Sequence, residues 1–208
     1  MPPATPTRQE TYNEHGATFV DRLRTRMVAR SIRRNLPPRA DLTVLDIGCG
    51  FHAHHLTALG AGLIHGTGID FHVSEACRRN PKLSFLLESA ETALPRLADN
   101  RFDAVLFISV LEHLSGPEEA LTQCHRALKP GGALLLNVPT WWAKPLLELS
   151  AFRFGTSPPC EIDDHKMYYA KRDLWPMLVR AGFRPSQIRM RYENLGLTLF
   201  AKAVKSNA

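Results

Sequence analysis

The stretch Val44-Leu45-Asp46-Ile47-Gly48-Cys49-Gly50 decides the fold of this 208-residue chain. A short apolar run followed by two closely spaced glycines is typical of a β-strand that ends in a tight turn before a helix. Glycine lets the backbone amides of such a turn approach a small molecule without a clash from Cβ. The stretch therefore predicts a strand-turn-helix unit with a ligand beside its turn.

The residues that follow repeat this alternation of strands and helices. Strands are predicted at 42–47, 66–70, 83–88, 102–108 and 133–138, and helices near 53–59, 73–79 and 117–128. Such an alternation predicts βαβ units and a parallel sheet. The fourth strand is nearly all apolar, as expected of a central strand covered on both faces. Ser115, three residues before Glu118, is the predicted cap of the helix that follows it.

The C-terminal part predicts a helix at 171–181 and two β-like runs, 188–192 and 197–204, that form a hairpin. The expected fold is α/β and Rossmann-like, a doubly wound, mostly parallel seven-stranded sheet with a C-terminal antiparallel edge hairpin. We expect a single domain over 1–208. Its parts are a basic N-terminal helix or cap (1–40), a cofactor-binding core (42–138), an inserted acceptor-side segment (139–170), and the C-terminal helix and hairpin (171–208).

Composition predicts a globular protein of the cytoplasm. Hydrophobic residues make up 44% and charged residues 22% of the chain, and no apolar run reaches the roughly 18 residues of a membrane span. The first 15 residues lack the apolar core of a signal peptide. The cysteines (Cys49, Cys77, Cys124 and Cys160) are widely spaced, which predicts reduced thiols rather than a disulfide framework.

A basic helix before residue 37 carries much of the net charge of +6. Its arginines are Arg22, Arg24, Arg26, Arg30, Arg33 and Arg34, and its apolar residues recur at helical spacing. Such a helix is usually packed by its apolar stripe with a solvated basic face. Contact with an anionic partner, including a membrane surface, stays open as the alternative.

Asp70 ends the second predicted strand, 20 residues after Gly50. A carboxylate at this place suits two hydrogen bonds from ribose hydroxyls, because ligands of parallel sheets bind at the carboxyl ends of the strands. Singly, each feature has a simpler explanation. Gly48 and Gly50 could form only a turn, and Asp70 could cap the next helix.

Further motifs surround this site. They are Asp46 before the first glycine, Phe102-Asp103 at the start of the fourth strand, Leu111-Glu112-His113 after it, and Leu128-Lys129-Pro130-Gly131-Gly132 before the fifth. As a set they resemble the class I S-adenosylmethionine-dependent methyltransferases, and most closely the small-molecule group that includes the ubiquinone-pathway enzymes. The resemblance covers 42–138 well, and extends more loosely to His165 and Arg180-Ala181-Gly182-Phe183.

The resemblance implies S-adenosylmethionine as the cofactor and a role for each matching position. Gly48, Cys49 and Gly50 would face the methionine part, Asp46 would orient its amino end, and the Ile108 carbonyl region would receive its ammonium group. Asp70 would hold the ribose, Phe71 would pack on the adenine face, and Ser89 and Ala90 would meet the adenine edge. The chain departs from the family in having His52 in place of a third glycine and Ser89 in place of an aspartate.

Two histidines are the candidate bases for methyl transfer to a hydroxyl. His113 follows the fourth strand, and His165 lies in the polar and aromatic run 161–169. A histidine near its ordinary pKa could accept the acceptor's proton, although either side chain could instead be structural. Trp141, Trp142 and Lys144 follow the fifth strand, where they would form a lid over the acceptor or cover a core edge.

No metal site is expected. Some ubiquinone-pathway relatives bind a divalent metal through Glu-x-x-Glu-His, but here Ser109 stands in place of the first glutamate before Glu112-His113. The other cluster, His52, His54 and His55, has a spacing that does not place all three side chains on one helix face.

The predicted function is methyl transfer to an O or N atom of a small-molecule, sugar or lipid-linked acceptor. An NAD-dependent oxidoreductase is the first alternative, because Gly48-x-Gly50-x-x-Ala53 fits the looser dinucleotide fingerprint. A cofactor-binding protein without catalysis is the second, given His52 and Ser89. RNA methylation stays open as a further alternative because of the basic charge, but it is not favoured, since the arginines are gathered on one amphipathic helix and no separate RNA-binding domain is visible. No feature of the sequence indicates an oligomeric state.

Overall fold

The computed structural model describes residues 19–38, 41–145 and 166–207, and within them all side chains except those of residues 19–25 and Ala61. The helices are α1 (Phe19–Asn35), α2 (His54–Leu59), α3 (Glu75–Arg78), α4 (Ala90–Ala93), α5 (Pro117–Ala127) and α6 (Lys171–Arg180). The strands are β1 (Leu42–Ile47), β2 (Leu63–Ile69), β3 (Leu83–Leu86), β4 (Phe102–Ile108), β5 (Leu128–Pro139), β6 (Ile188–Glu193) and β7 (Thr198–Val204).

The seven strands form one sheet in the order β3-β2-β1-β4-β5-β7-β6. Strands β1 to β5 pair in parallel, whereas β7 runs antiparallel to both β5 and β6. The predicted fold class is therefore confirmed, including the C-terminal hairpin, whose β6 is the edge strand. Strand β5 is longer than predicted because it begins at Leu128 and passes through the glycine turn with a shift in register.

Strand β4 lies at the centre of the sheet, and all seven of its residues are buried. It pairs with β1 on one side and β5 on the other, so its backbone is hydrogen-bonded on both edges. A nearly all-apolar run suits such a position, because helices cover both of its faces, and Asp103 is the one charged residue of the strand. Burial of each large apolar side chain here contributes about 1.5–3 kcal/mol.

Two helical layers cover the sheet. On one face α4, α5 and α6 bury Ala93, Leu121 and Leu178 against the strands. On the other face α1 and α2 bury Ile32 and Leu56. The apolar stripe of the basic helix α1 therefore packs on the sheet, as its sequence pattern predicted. Within the described ranges no helix combines the length and the apolar character needed to cross a membrane.

The predicted cap of α5 is wrong. Gly116, not Ser115, is the N-cap residue, and no side chain caps this helix. The Ser115 hydroxyl instead accepts a hydrogen bond from Lys166 Nζ at 2.9 Å. The Ser115 side chain therefore makes a tertiary hydrogen bond instead of capping the helix, because the chain returns to this edge of the sheet at Lys166.

Candidate functional site

The carboxyl ends of β1, β2 and β4 bring the predicted cofactor residues to one edge of the sheet. β1 is followed by Gly48, β2 by Asp70 and β4 by Ser109. Strand order reverses between β1 and β4, because the chain moves from β1 outward to β3 and then returns to the other side of β1. This switch point is where open α/β sheets bind their ligands.

The turn after β1 is fixed by backbone hydrogen bonds to β2. The amides of Gly48 and Cys49 both donate to the Ile69 carbonyl, at 2.8 and 3.1 Å. Gly48 and Gly50 have φ of 66° and 73°, a conformation that favours glycine. The Cys49 side chain is buried, and this burial, with the charges of Asp46 and Asp70, raises the pKa of its thiol. Cys49 can therefore face a ligand only through its backbone.

Asp70 ties the ends of β1 and β2 together. Its Oδ2 accepts a hydrogen bond from the Gly50 amide at 2.7 Å, and its Oδ1 accepts one from the Phe71 amide at 2.8 Å. The alternative that Asp70 caps the next helix is wrong, because Ser74 is the N-cap of α3 and accepts a hydrogen bond from the Cys77 amide. Asp70 thus organises the glycine turn and is held half-buried at the edge where the ribose is expected.

The predicted adenine side consists of one exposed aromatic ring and a short helix. Phe71 is 63% exposed, so its ring is free to stack on a base. Ser89 is the N-cap of α4, where its hydroxyl accepts a hydrogen bond from the Thr92 amide at 3.2 Å. The serine thus has a structural role, while Ala90 beside it is buried.

Val110 closes the other side of the glycine turn. A Cβ atom added to Gly48 would lie 2.2 Å from Val110 Cγ2, so glycine is required here by contact as well as by φ. Ser109, between Val110 and the end of β4 at Ile108, has φ of 54° although it is not glycine. Its amide donates to the Asn137 carbonyl at 2.8 Å. Such strained residues cluster at functional sites.

Asp46 is fully buried, and neither of its carboxylate oxygens has a hydrogen-bond partner among the described residues. Burial raises the pKa of this carboxyl well above its usual range, and the nearby charge of Asp70 adds to the shift. An unpartnered buried carboxylate is costly, and it persists in proteins mainly where function requires it. The orphaned group lies two residues before the glycine turn, which fits a cationic ligand at this edge.

Together these residues fit S-adenosylmethionine. The backbone at Gly48 and Gly50 leaves space free of Cβ atoms, and Asp70 presents a carboxylate beside it. Asp46 offers a carboxyl group without a described partner where the amino end of the cofactor is expected. Phe71 offers an uncovered ring for a base. The structure thus brings all of the predicted cofactor residues to the same edge of the sheet.

Replacing Asp46 with asparagine is expected to stabilise the protein without cofactor by about 1–3 kcal/mol at neutral pH, because it removes a buried group whose ionised form has no partner among the described residues. The folded chain holds the Asp46 proton more tightly than the unfolded chain. Protonated Asp46 therefore stabilises the folded chain at acid pH. This stabilisation is lost as the pH rises from the ordinary carboxyl pKa through the raised pKa of Asp46. Thermal denaturation against pH should show this loss in the wild type but not in Asp46→Asn.

Asp103 is the matched control. It is also buried, but its carboxylate accepts hydrogen bonds from the amide and hydroxyl of Thr43 and pairs with Lys129 at 3.0 Å. Asp103→Asn should therefore destabilise the protein by about 2 kcal/mol. Destabilisation of similar size by both substitutions would show that Asp46 is partnered in solution, contrary to the structure.

His113 is placed at the same edge by a turn of 3₁₀ helix, Leu111–His113, directly after β4. The His113 side chain is half-buried, and its amide donates to the Val110 carbonyl at 3.0 Å. The neighbouring Glu112 is buried, and its carbonyl accepts a hydrogen bond from the Lys166 amide at 2.9 Å. His113 therefore lies between the glycine turn and the segment that begins at Lys166. His165, the second predicted base, lies outside the described residues.

Aromatic side chains follow β5 on this side of the sheet. The rings of Trp141 and Tyr168 lie 5.8 Å apart, and Trp141 Nε1 donates to Asp173 at 3.4 Å. Trp142 is 78% exposed. Tyr169 is buried, and burial with the charges of Glu112 and Asp173 raises its pKa to about 12. The Tyr169 phenol therefore stays protonated at neutral pH, and it is not a candidate base.

Two residues at this edge were not predicted from the sequence. Val110 covers the glycine turn, and no sequence signal marks it. Asn137 is buried in β5 opposite Ile108, and its Nδ2 has no partner in the described ranges. An amide near the carboxyl end of an otherwise apolar strand is a signal that could have identified Asn137. Among the described side chains no three His, Cys, Asp or Glu residues come together as metal ligands.

The comparisons with known proteins agree with this site. A family model described as "Methyltransferase domain" matches residues 45–136. The tRNA U34 carboxymethyltransferase of Shewanella denitrificans is 32% identical over 140 residues, which are 64% of this chain and 42% of that protein. The ubiquinone biosynthesis O-methyltransferase of Dinoroseobacter shibae is 33% identical over 120 residues, 54% of this chain and 48% of that protein. The chain thus spans less than half the length of these curated relatives.

The fold also resembles that of a solved structure. A chain from the complex that contains the Haloferax volcanii Trm112 methyltransferase activator superposes with a TM-score of 0.75 at 17% identity, over 98% of this chain and 100% of that chain. The matched residues 45–136 contain the glycine turn, Asp70 and the end of β4, the elements that form the switch-point site. Residues 45–136 therefore match a methyltransferase domain, and the fold and the geometry of this edge agree with S-adenosylmethionine as the cofactor.

Proposed function

We propose that this chain transfers the methyl group of S-adenosylmethionine to an O or N atom of a small-molecule, sugar or lipid-linked acceptor. The observation that carries this acceptor class is the surface at the ends of β4 and β5. There a half-buried histidine, His113, lies three residues after Val110, which closes the glycine turn. The paired rings of Trp141 and Tyr168 follow the end of β5 at the same edge of the sheet. Aromatic walls with one polar group are typical of small-molecule sites.

S-adenosylmethionine supplies a methyl group already activated by its sulfonium. The protein has to hold the acceptor in line with that methyl group and exclude water. Gly48, Gly50 and Asp70 would hold the cofactor, and Asp46 would orient its amino end. Trp141 and Tyr168 would hold the acceptor. The imidazole of His113 would accept the proton that the acceptor hydroxyl or amine releases.

Replacing His113 with glutamine is expected to lower kcat by about 10²–10⁴-fold, because the general base is lost. Cofactor affinity should be unchanged, and activity should recover at high pH, where the acceptor ionises without a base. The measurement is transfer of labelled methyl from S-adenosylmethionine to a panel of phenols, sugars, amines and an RNA. His165→Ala, assayed in parallel, tests the second predicted base.

His65→Gln is the matched control. His65 lies in β2 and bonds Ser84 at 2.9 Å, away from the carboxyl edge, so this variant should retain full activity. Methylation of the RNA alone would overturn the proposed acceptor class. Cofactor binding without methylation of any acceptor would instead favour a protein that binds the cofactor without catalysis.

A further inference from the structure

A cleft of about 620 Å³ lies between α1 and α2, outside the cofactor site. Most of its lining side chains are basic or imidazole groups, and no carboxylate lines it in the part of the chain that is described. They are Arg26, Arg30, Arg33, Arg34, His54 and His55. A concave surface lined by charge of one sign concentrates ligands of the opposite sign.

The arginines lie on one side of α1 because of their spacing. Arg26, Arg30 and Arg34 follow one another at intervals of four residues, about one helical turn of 5.4 Å. The opposite face of the helix buries Val28 and Ile32 in the core. That apolar face is therefore not available for insertion into a membrane, and the arginines face the cleft rather than a flat lipid surface.

Three of these guanidinium groups are available for a ligand. Arg33 donates a hydrogen bond to the Ala58 carbonyl at 2.8 Å, which joins α1 to α2. Arg26, Arg30 and Arg34 are exposed and form no ion pair with the side chains that the structure describes. Their charge is thus not neutralised by the described residues around them.

His55 provides the second, independent sign of a ligand. Its Nδ1 atom is buried at the cleft and has no hydrogen-bond partner among the described residues. Burial, with the neighbouring His54, lowers the pKa of His55 to about 4, so its imidazole is neutral at pH 7. A neutral imidazole can present an N–H donor to an anion, and an unsatisfied buried nitrogen is costly without one.

We propose that this cleft binds a phosphate or diphosphate group carried by the methyl acceptor. The volume is that of a small-ligand site, which ranges over about 300–1,000 Å³. Planar guanidinium groups bind phosphate oxygens in pairs, and a diphosphate offers enough oxygens and charge to engage several arginines at once. One residue that lines the cleft, His54, also lies close in sequence to the cofactor turn. His54 begins α2 four residues after Gly50, and its ring lies 5.3 Å from that of His52.

The assignment of the phosphate to the acceptor rests on the proposed function, whereas the phosphate site itself does not. Sugar phosphates and lipid-linked diphosphates share this group, and either would place its phosphate in the cleft while its acceptor atom reaches the end of β4.

The test is titration calorimetry of the full chain with inorganic pyrophosphate at low salt. Saturable binding is expected, weakened about tenfold in each of Arg30→Gln and Arg34→Gln, because each variant removes charge-assisted hydrogen bonds. The matched control is Arg184→Gln, an exposed arginine distant in sequence, which should bind pyrophosphate as the wild type does. S-adenosylmethionine affinity should be equal in all four proteins.

Absence of saturable binding, or equal affinity in all variants, would overturn the phosphate site. Tight binding of a short single-stranded RNA that pyrophosphate does not displace would overturn it in favour of a nucleic-acid surface. Methylation of acceptors without pyrophosphate binding would reject this inference alone. Pyrophosphate binding without methylation of a sugar phosphate or a lipid-linked diphosphate would keep the phosphate site and reject its assignment to an acceptor.

Discussion

Replacing Asp70 with alanine is expected to weaken S-adenosylmethionine binding by about two to three orders of magnitude. The carboxylate accepts hydrogen bonds from the Gly50 and Phe71 amides, so its loss releases the glycine turn as well as removing the expected ribose contacts. Hydrogen bonds to a charged group contribute about 1.5–3 kcal/mol each, and two of them account for this loss. Titration calorimetry with S-adenosylmethionine, S-adenosylhomocysteine and NAD measures the effect.

Glu75→Gln is the control for Asp70→Ala, because Glu75 is an exposed carboxylate whose described ion pair is with Arg78 in the same short helix. It should leave cofactor affinity unchanged. Asp70→Asn should fall between the wild type and alanine, since one amide oxygen can still accept a bond from Gly50. Wild-type affinity in Asp70→Ala would place the ribose elsewhere, and binding of NAD in preference to both adenosyl ligands would contradict the assigned cofactor.

Gly48→Ala is expected to destabilise the protein by about 3 kcal/mol and to remove most cofactor binding. Two costs add at this position. The positive φ disfavours a residue with a Cβ atom, by about 1–2 kcal/mol, and the new Cβ would lie 2.2 Å from Val110 Cγ2. For a chain of this size the melting temperature should fall by roughly 6–12 °C. Differential scanning calorimetry measures the first effect and cofactor titration the second.

Gly50→Ala separates the two costs. Gly50 also has a positive φ, but a Cβ atom there would meet nothing within 4 Å. This variant should therefore lose only about 1 kcal/mol. Adding Val110→Ala to Gly48→Ala should restore part of the lost stability, because it removes the methyl group that the new Cβ would strike. Equal destabilisation by Gly48→Ala and Gly50→Ala would rule out the Val110 contact as the cause.

The parts of the fold that the sequence predicted correctly depend on local pattern. β1 and β4 were predicted to their end residues because an apolar run bounded by polar or glycine residues admits few other structures. The hairpin of β6 and β7 and the stop of α6 before Gly182 were predicted for the same reason. The cofactor edge followed from these elements, since parallel strands bring their carboxyl ends together.

Other features could not be predicted because they depend on contacts between distant residues. Ser115 fits the pattern of a helix-capping residue, yet its hydroxyl accepts a hydrogen bond from Lys166, 51 residues away. The need for glycine at position 48 depends on Val110. The lack of partners around Asp46 depends on which side chains surround it after folding, which no spacing in the chain encodes.

By itself the sequence determined the fold class and the family resemblance, because both follow from the order of short local patterns, and the resemblance in turn predicted the cofactor residues. The tertiary structure decided which role each residue can take. It left Asp46 without a described partner and gave Asp103 hydrogen bonds from Thr43 and an ion pair with Lys129, although both are aspartates of central strands. It also placed the arginines of α1 along a cleft. Packing of the apolar face of α1 against the sheet is what directs its arginine face toward α2.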